Sequence, residues 1–557
     1  MLLTGAEILI ECLKEQGVDT VFGYPGGTAL GVYDALYRLG GIKHILTSHE
    51  QGAAHAADGY ARVTGRTGVC LVTSGPGATN LVTGIATAYM DSVPLVAITI
   101  NVPTASLGKD SFQEVDIAGV TMPVTKHGFI VKDVEKLADT VRRAFTIAGR
   151  GRRGPVLVDI AKDVTQLKAE YERAKIESHR IWPSVDKEPL KQALTLIRRS
   201  KKPVILAGGG AVASGAYAAV KKLAQMTGAV TVCTLMGMTS CSTEDEEFLG
   251  MSGIHGTVAA NRSLCEADLI IALGCRFNDR VTANPSLFAP HADLIQIDID
   301  PAELNKNVYV TVAIAGDVKT VLTELEKKLK TPRKRSQWAK ELIRQRLEEK
   351  REQGTAEGFT PANIVRTVSD AVGPDAVIVT EVGQNQMWTA LNYGFTEKTR
   401  FITSGGLGTM GFGLGAAIGA KIGCPGDTVV NFAGDGCLRM NMNELATASA
   451  YHVPVLEILF KNNTLGMVRQ WQDMFYAKRH SQTTLPDNVD YVKLAEAMGV
   501  KAVRVSGLAD LKKAVSKAKK LKAPLLVVCD IKEDEAVWPM VIPGSSLERT
   551  FGADDFE

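Results

Sequence analysis

A chain of 557 residues is too long for a single hydrophobic core, and its length predicts about three or four domains. Apolar residues make up 45% of the sequence, and 63 basic residues nearly balance 61 acidic ones, so composition and charge give no indication of a nucleic-acid partner or a membrane surface. The nine cysteines lack metal-ligand spacing, no run of 18 uncharged apolar residues predicts a membrane span, and the charged N-terminal segment is unlike a signal peptide. We therefore expect a cytoplasmic protein.

Short apolar runs alternate with helical patterns through residues 1–165, which we interpret as the first domain. This alternation is typical of a parallel sheet covered by helices, so the predicted fold class is α/β. The runs expected to form buried strands are Thr20–Phe22, Ile45–Thr47, Val69–Thr73, Leu95–Ile100 and Val156–Ile160.

A charged, aperiodic stretch from Val164 to Pro183 predicts a surface linker to a second α/β domain at residues 185–330. Val318–Gln353 is highly charged with helical spacing, and we interpret it as a solvated helix that includes a linker at 331–358. A third domain is expected at 359–557, ending in a loosely ordered acidic tail. The strands predicted for the second domain are Pro203–Ala207, Val230–Leu235, Leu269–Leu273 and Leu294–Asp298.

The third domain carries the pattern best suited to chemistry. The motif Gly434-Asp435-Gly436 follows the apolar run Val429–Ala433, and its glycines predict a sharp turn. A crossover helix is expected at Met442–Tyr451, and the next strand, Val455–Phe460, delivers Asn462 to the same edge of the sheet. A carboxylate, an amide oxygen and a nearby carbonyl are hard ligands suited to a magnesium ion that carries diphosphate. A tight turn followed by an asparagine-rich loop is the alternative.

The sequence also contains a weak internal repeat. Residues 68–98 can be laid against residues 427–458, which matches Gly75-Pro76-Gly77 with the Gly-Asp-Gly motif and Ala86-Thr87-Ala88 with Ala446-Thr447-Ala448. We therefore expect the first and third domains to share one fold, with the acidic residue only in the third. Chance similarity between two strand–turn–helix units is the alternative.

At these residues the chain resembles a known family. Gly-Asp-Gly followed by Asn-Asn at this distance resembles the diphosphate–metal motif of thiamine-diphosphate enzymes, and NNTLGMVRQWQDMFY resembles the large catalytic subunits of acetohydroxyacid synthase (acetolactate synthase). The similarity covers nearly the whole chain. It implies three doubly wound parallel-sheet domains: an N-terminal domain for the thiamine pyrimidine, a Rossmann-like central domain for FAD, and a C-terminal domain for diphosphate and Mg²⁺.

The resemblance also assigns cofactor contacts. It implies that Asp435, Asn462 and the main-chain carbonyl of Thr464 hold the metal. The implied contacts to thiamine diphosphate are Gly383, Gln384, Asn385, Gly408, Met410, Gly434, Gly436 and Met467. The implied contacts to FAD are Gly208, Gly209, Leu235, His255, Gly274, Arg276, Asp298 and Asp317, although the glycine cluster alone could be an ordinary loop.

Three residues are implied to act at the reacting centre. Glu50, in Ser48-His49-Glu50-Gln51-Gly52, occupies the family's place for the carboxyl group that holds the aminopyrimidine ring. Without that context, a surface glutamate at a helix start is the alternative. The other two catalytic residues are Gln113 and Lys162.

The substrate contacts implied by the resemblance are Phe112, Asp279, Arg280 and Trp471. The guanidinium of Arg280 suits the carboxylate of a 2-keto acid. Trp471 and Phe475 are spaced as a helical packing pair, which is the alternative to a role for Trp471 in selecting substrate size.

The implied reaction condenses two pyruvate molecules to 2-acetolactate, or pyruvate and 2-ketobutyrate to 2-aceto-2-hydroxybutyrate, with loss of CO₂. It is the first common step of valine, leucine and isoleucine biosynthesis. The family further implies a homodimer or tetramer with the active site at the subunit interface, and it allows a regulatory small subunit. A fermentative acetolactate synthase without flavin, a thiamine- and flavin-dependent pyruvate oxidase, and a noncatalytic nucleotide-binding protein of the same fold are the alternatives.

Overall fold

Three six-stranded parallel sheets, each covered by helices, form the protein. The computed structural model describes residues 1–175, 185–354 and 357–556. All neighbouring strands within each large sheet run parallel, and every segment between consecutive strands of a sheet contains an α-helix or a 3₁₀-helical turn. The predicted α/β class with three parallel-sheet domains is confirmed. Within the described ranges, no helix has the length and apolarity needed to cross a membrane.

The first sheet is built from residues near the N-terminus. Its domain contains the strands β1 Leu2–Thr4, β2 Thr20–Tyr24, β3 Lys43–Leu46, β4 Gly68–Thr73, β5 Leu95–Asn101, β6 His127–Val131, β7 Pro155–Ala161 and β8 Lys168–Glu170. Its helices are α1 Gly5–Glu15, α2 Leu30–Leu39, α3 Glu50–Thr64, α4 Pro76–Asn80, α5 Val82–Met90, α6 Ile117–Thr121, α7 Leu137–Gly149 and α8 Lys162–Gln166. The strand order is β3-β2-β4-β5-β7-β6, and β1 pairs separately with β8.

The middle sheet has the Rossmann strand order. Its strands are β9 Pro203–Ala207, β10 Val230–Cys233, β11 Phe248–Met251, β12 Leu269–Leu273, β13 Asp293–Asp298 and β14 Val312–Ala315. The helices are α9 Lys187–Arg199, α10 Gly209–Ala213, α11 Tyr217–Thr227, α12 Val258–Glu266, α13 Asp279–Thr282, α14 Val318–Glu326 and α15 Gln337–Gly354. The order β11-β10-β9-β12-β13-β14 places the switch point between β9 and β12, where such sheets bind dinucleotides.

The third sheet repeats the topology of the first. Its domain contains the strands β15 Val377–Thr380, β16 Arg400–Ile402, β17 Val429–Gly434, β18 Val455–Lys461, β19 Lys501–Val505, β20 Leu525–Asp530, β21 Met540–Val541 and β22 Thr550–Phe551. The helices are α16 Pro361–Val372, α17 Gln384–Asn392, α18 Gly413–Gly423, α19 Asp435–Asn441, α20 Glu444–Ala450, α21 Gly466–Phe475, α22 Tyr491–Ala497 and α23 Leu508–Val515. The order β16-β15-β17-β18-β20-β19 matches the first sheet strand for strand, so the predicted repeat is confirmed.

Several local predictions are wrong. The predicted crossover helix Met442–Tyr451 is present as the shorter α20, but the preceding helix α19 was not predicted, and Asp435 is its first residue rather than part of a sharp turn. A Cβ on Gly436 would lie 2.6 Å from a methyl group of Leu465, so the glycine packs closely against this side chain. The charged stretch Val318–Gln353 is also broken into α14 and α15, because its middle contains Pro332.

The boundaries between domains stay a prediction. Val164–Pro183, expected as a linker, contains the end of α8 and the strand β8, whose backbone pairs with β1; residues 176–184 lie outside the described ranges. In the predicted linker at 331–358, α15 buries Leu342 and Ile343 in the core of the middle domain.

Helices α3 and α18 pack the first domain against the third. A Cβ added to Gly59 in α3 would lie 2.0 Å from the carbonyl oxygen of Ala416, and one added to Gly419 in α18 would lie 1.8 Å from that of Ala56. Each helix follows the equivalent strand of its sheet, β3 or β16, so the two copies of the fold meet through equivalent helices. Backbone contact of this kind excludes any side chain larger than hydrogen at both glycines.

We expect Gly59→Ala to destabilise the protein, because the added methyl group must push the helices apart. Overpacking of this kind costs about 1 to 3 kcal/mol, which thermal denaturation detects as a lower midpoint. Gly149→Ala, at the end of α7, is the matched control, since a Cβ there meets no atom within 4 Å. Equal midpoints for the two variants would contradict this account of the helix contact.

Candidate active site

The carboxylate of Asp435 lies at the carboxyl end of β17 and is almost fully buried. Its Oδ1 accepts a hydrogen bond from the backbone N–H of Gly436 at 2.8 Å, and its Oδ2 accepts from Asn463 at 2.7 Å and Asn462 at 3.2 Å. Burial raises the pKa of Asp435 because it disfavours the charged form. A cation beside this carboxylate would offset that effect.

The asparagine pair follows β18 at the neighbouring position of the same edge. The side-chain Oδ1 of Asn462 accepts from the backbone N–H of Thr464 at 3.3 Å. Asn463, between them, has a φ of 55°, a left-handed conformation that asparagine tolerates better than most residues. The structure therefore joins Asp435 to residues 462–464 through backbone N–H groups, and the carboxylate of Asp435 and the side-chain oxygen of Asn462 are hard oxygen atoms of the kind that suits Mg²⁺.

The start of α17 lies beside this group. Gly383, with a φ of 119°, precedes the buried Gln384 and Asn385, and the side-chain oxygens of both are buried without a hydrogen-bond partner. The amide nitrogen of Asn385 lies 3.4 Å from the position of a Cβ on Gly434, so this residue adjoins the Gly-Asp-Gly motif. Gln384 donates to Gln470 at 3.1 Å. Unpartnered buried amides are polar groups available to a ligand.

The glycine-rich segment Ser404–Gly411 also lies close to the Gly-Asp-Gly motif. Gly408 and Gly411 have φ values of 74° and 85°, where glycine is favoured. The methyl group of Met410 lies 3.7 Å from the position of a Cβ on Gly436. The side chain of Met410 thus lies next to the Gly-Asp-Gly motif.

Glu50 lies in the first domain, as the first residue of α3. It is half-buried, its Oε2 accepts from the side chain of Asn80 at 2.9 Å, and its Oε1 lies 3.2 Å from the position of a Cβ on Gly77. Within the described part of this single chain, no hydrogen bond joins Glu50 to Asp435 or Asn462. The structure places the carboxyl predicted for the ring in the first domain and the group predicted for the metal in the third.

The other residues predicted for the reacting centre also lie in the first domain. Gln113 has a φ of 60° and its Cα lies 2.9 Å from the position of a Cβ on Gly75, in the same turn that contacts Glu50. Phe112, its neighbour, is 89% exposed. Lys162 is the first residue of α8 and follows β7 directly, so it lies at the carboxyl edge of the sheet.

A cavity of about 1010 Å³ opens where all three domains meet. The first domain contributes Arg62 and Asp91, and the third contributes residues from α17, α21 and the glycine-rich segment. The predicted FAD contacts that line it are Gly209, Leu235, His255, Gly274, Arg276, Asp298 and Asp317. The predicted thiamine and substrate contacts that line it are Gly383, Gly408, Met467, Asp279, Arg280 and Trp471.

The wall formed by the middle domain combines close backbone packing with unpartnered polar groups. Gly208 precedes α10, and a Cβ on Gly210 would lie 2.6 Å from the Cα of Gly274. Burial lowers the pKa of His255 to about 4, and among the described residues its Nδ1 has no hydrogen-bond partner. Burial also raises the pKa of Asp298 to about 6.

The cavity also contains a cation above an aromatic ring. The guanidinium of Arg280 lies 5.6 Å from the ring centre of Trp471, and Asp279 lies 3.6 Å from Arg280. The indole N–H of Trp471 is buried without a partner. Trp471 also packs edge-on against Phe475 at 5.9 Å, so the helical pair considered from the sequence is present as well.

Sequence reasoning missed several buried charged residues around the site. Arg62 and Asp91 form an ion pair at 3.0 Å, and Glu381 accepts backbone hydrogen bonds from Gly411 and Gly413. The only available signal was a charged residue beside a strongly apolar run, as at Glu381 directly after β15. Their partners could not be inferred, because the contact between Asp91 and the glycine-rich segment spans more than 300 positions.

Comparison with known proteins agrees with this architecture. Three family models of thiamine pyrophosphate enzymes match the chain: the N-terminal TPP-binding domain at residues 3–120, the central domain at 190–325 and the C-terminal TPP-binding domain at 381–529. The protein is therefore a thiamine pyrophosphate enzyme.

Comparison with curated relatives shows to which group of thiamine pyrophosphate enzymes the chain belongs. The chain is 43% identical to the acetolactate synthase isozyme 2 large subunit of Escherichia coli and 42% identical to the acetolactate synthase large subunit of Haemophilus influenzae, over 98% of each chain. It is 45% identical to a probable acetolactate synthase large subunit of Methanocaldococcus jannaschii, over 98% of this chain and 94% of the relative. The chain belongs to the family of acetolactate synthase large subunits, which confirms the resemblance seen in the sequence.

Two acidic side chains at the edge of the site, Glu381 and Glu457, are buried together. Burial raises the pKa of Glu381 to about 7 and that of Glu457 to about 8. The amide nitrogen of Asn431 donates to both oxygens of Glu457 at 2.8 and 3.0 Å, while its oxygen has no partner. A protonated carboxyl group, or a glutamine, at position 457 could donate to that oxygen.

We expect Glu457→Gln to make stability less dependent on pH. A raised folded-state pKa means that the native protein holds more protons than the unfolded chain between about pH 4.5 and 8, so the free energy of unfolding falls as pH rises through this window. The glutamine variant has no titratable carboxyl group at position 457, so it lacks this contribution to the pH dependence. Its thermal midpoint, relative to the unsubstituted protein, should therefore rise from pH 5.5 to pH 8, and a constant difference would contradict the assignment.

Proposed function

We propose that this protein is a thiamine-diphosphate-dependent acetolactate synthase in branched-chain amino-acid biosynthesis. It condenses two pyruvate molecules to 2-acetolactate, or pyruvate with 2-ketobutyrate, and releases CO₂. The observation that carries the proposal is the single cavity in which Gly383, Gly408 and Met467, on the thiamine side, face the same space as Arg280 and Trp471. The names of the relatives support the same reaction.

Thiamine diphosphate supplies the electron sink for loss of CO₂ from a 2-keto acid. The carboxyl group of Glu50 holds the aminopyrimidine ring and exchanges a proton with a ring nitrogen. Asn80 orients that carboxyl through its 2.9 Å hydrogen bond. Gln113 and Lys162 lie at the same sheet edge and are proposed to position the first keto acid.

Magnesium fits the group around Asp435. The carboxylate, the side-chain oxygen of Asn462 and the carbonyl of Thr464 would hold the ion, since all three are hard oxygen donors and backbone N–H groups of Asn462 and Thr464 connect the three residues by hydrogen bonds. Gln384 and Asn385 are proposed to contact the cofactor beside it, where their side-chain oxygens, which have no partner among the described residues, can accept hydrogen bonds from a donor group.

FAD fits the wall of the cavity formed by the middle domain. The close approach of Gly210 to Gly274 leaves room for a dinucleotide at the switch point, and the unpartnered Nδ1 of His255 is available to it. The ligation transfers no net electrons, so FAD is proposed to act as a structural element. The remaining contacts are Gly208, Gly209, Leu235, Arg276, Asp298 and Asp317.

Arg280 is proposed to clamp the carboxylate of the second 2-keto acid, with Asp279 orienting its guanidinium. Trp471, above which Arg280 lies, limits the size of the alkyl group that fits. Its unpartnered indole N–H offers a hydrogen bond to the substrate. Met467 also lines this cavity, and Phe112 is proposed as a further substrate contact.

The assembly is proposed to be a homodimer or tetramer. As the resemblance to acetohydroxyacid synthases implies, each site is proposed to take Glu50 from one subunit and Asp435 from another. The relatives are named large subunits, which supports a regulatory small subunit as partner. A cytoplasmic location is proposed for such a biosynthetic enzyme.

The rival activity is a pyruvate oxidase with the same cofactors. We expect purified protein to form acetolactate from pyruvate only when Mg²⁺, thiamine diphosphate and FAD are all present, without stoichiometric uptake of oxygen. Each component is left out in turn while acetolactate and oxygen are measured. Oxygen uptake equal to pyruvate consumption would establish the oxidase, and acetolactate formed equally without FAD would favour the flavin-free fermentative enzyme.

We expect Glu50→Gln to lower turnover by about 100-fold or more, since proton transfer by a positioned side chain contributes that much. Glu7→Gln is the matched control, because Glu7 also lies in the first turn of a first-domain helix, where it completes the cap of α1. Turnover of the control should stay normal. Turnover of Glu50→Gln within a few-fold of normal would refute the role of Glu50.

A further inference from the structure

The beginning of the glycine-rich segment Ser404–Gly411 is hydrogen-bonded to a different domain. The side chain of Asp91, at the end of α5 in the first domain, is buried, and its Oδ1 accepts from the backbone N–H of Gly406 at 2.8 Å. Its Oδ2 accepts from that of Gly405 at 3.2 Å. Two consecutive backbone groups of the third domain are therefore bound by one carboxylate of the first.

Arg62, in α3, holds the carboxylate of Asp91 in place. The guanidinium lies 3.0 Å from Asp91 and 2.6 Å from Asp58, and it also donates to the carbonyl of Thr403 at 3.0 Å. Its flat face lies 5.5 Å from the ring centre of Phe412. One arginine thus contacts both the residue before the segment and the acid that binds it.

The end of the segment is tied to its own sheet. Glu381, directly after β15, accepts from the backbone N–H of Gly411 through Oε2 and from that of Gly413 through Oε1, both at 2.8 Å. Glu381 is 1% exposed. Between the two ties, Leu407 and Gly408 line the large cavity.

We propose that Asp91 and Glu381 are positioning residues that fix the two ends of the glycine-rich segment, so that its middle is set for thiamine diphosphate before the cofactor binds. The inference rests on the proposed function, because it assigns the segment to that cofactor. Binding is tighter when the ordering of a loop has already occurred in the free protein. Neither residue is assigned a contact with the reacting atoms.

The structure makes Asp91→Asn a sharp test. Both carboxylate oxygens accept hydrogen bonds, so the amide nitrogen of an asparagine must face either the N–H of Gly406 or the donors of Gly405 and Arg62. We expect amide hydrogen exchange in residues 404–412 of the cofactor-free variant to be about tenfold faster, and the dissociation constant for thiamine diphosphate with Mg²⁺ to be about tenfold higher. Exchange mass spectrometry and calorimetry measure the two effects.

Glu15→Gln is the matched control. Glu15 is a buried carboxylate of the same domain whose oxygens accept from Arg142 at 2.8 and 3.0 Å, so the substitution creates the same defect away from the segment. It should lower the melting temperature and leave both readouts unchanged. Asp91→Glu, which keeps two acceptor oxygens and the charge, should fall between Asp91→Asn and the unsubstituted protein, and it serves if Asp91→Asn does not fold.

Unchanged exchange in residues 404–412 of the Asp91 variants would overturn the inference, and so would equal effects in Glu15→Gln. Exchange is measured without cofactor or substrate, so it does not depend on acetolactate formation. If the unsubstituted protein forms no acetolactate but exchange is faster in Asp91→Asn, the proposed function is refuted while the role of Asp91 in fixing the segment stands. Normal acetolactate formation by the unsubstituted protein with unchanged exchange in the variants would refute the ties alone.

Discussion

The contact between α3 and α18 is the constraint on which the rest of the structure depends. Gly59 and Gly419 allow each helix to reach the backbone of the other, at Ala416 and Ala56. Because these helices follow equivalent strands in the two copies of one fold, the contact fixes the first sheet relative to the third. The middle domain then closes the cavity that both sheets border.

This symmetry explains where the proposed chemistry lies. In the first copy, the joint between strand and helix carries Glu50 at the start of α3. In the third copy, the equivalent joint carries the glycine-rich segment before α18. The same position of one fold therefore presents an acid in one domain and a glycine-rich backbone in the other, and Arg62 of α3 connects the two through Asp91.

Much of the fold follows from patterns in the sequence. The strands Pro203–Ala207 and Leu269–Leu273 were predicted with their observed bounds, because apolar runs flanked by turn residues are typical of buried parallel strands. The edge strand β6 was missed because most of its residues are not buried, so it lacks such a run. Helix boundaries around Asn441–Glu444 were missed because both helices are short.

The candidate site was also predictable from the sequence only in part. The sequence placed Asp435 and Asn462 at one sheet edge, since both directly follow apolar strands, and the structure brings them within hydrogen-bonding distance. Asp91 and Glu381 escaped prediction because their partners are backbone N–H groups far along the chain, which carry no side-chain signature. The roles of Glu50 and Lys162 stay predictions that rest on resemblance.

The central claim is that Glu50 of one subunit and Asp435 of another complete one site. The most direct test mixes two inactive variants, Glu50→Gln and Asp435→Ala, under conditions where subunits exchange. Random pairing gives half mixed dimers with one intact site each, so the account predicts recovery of roughly a quarter of the unsubstituted activity. No recovery, with both variants folded and subunit exchange demonstrated, would contradict it, because a site built within one chain stays broken in every pairing.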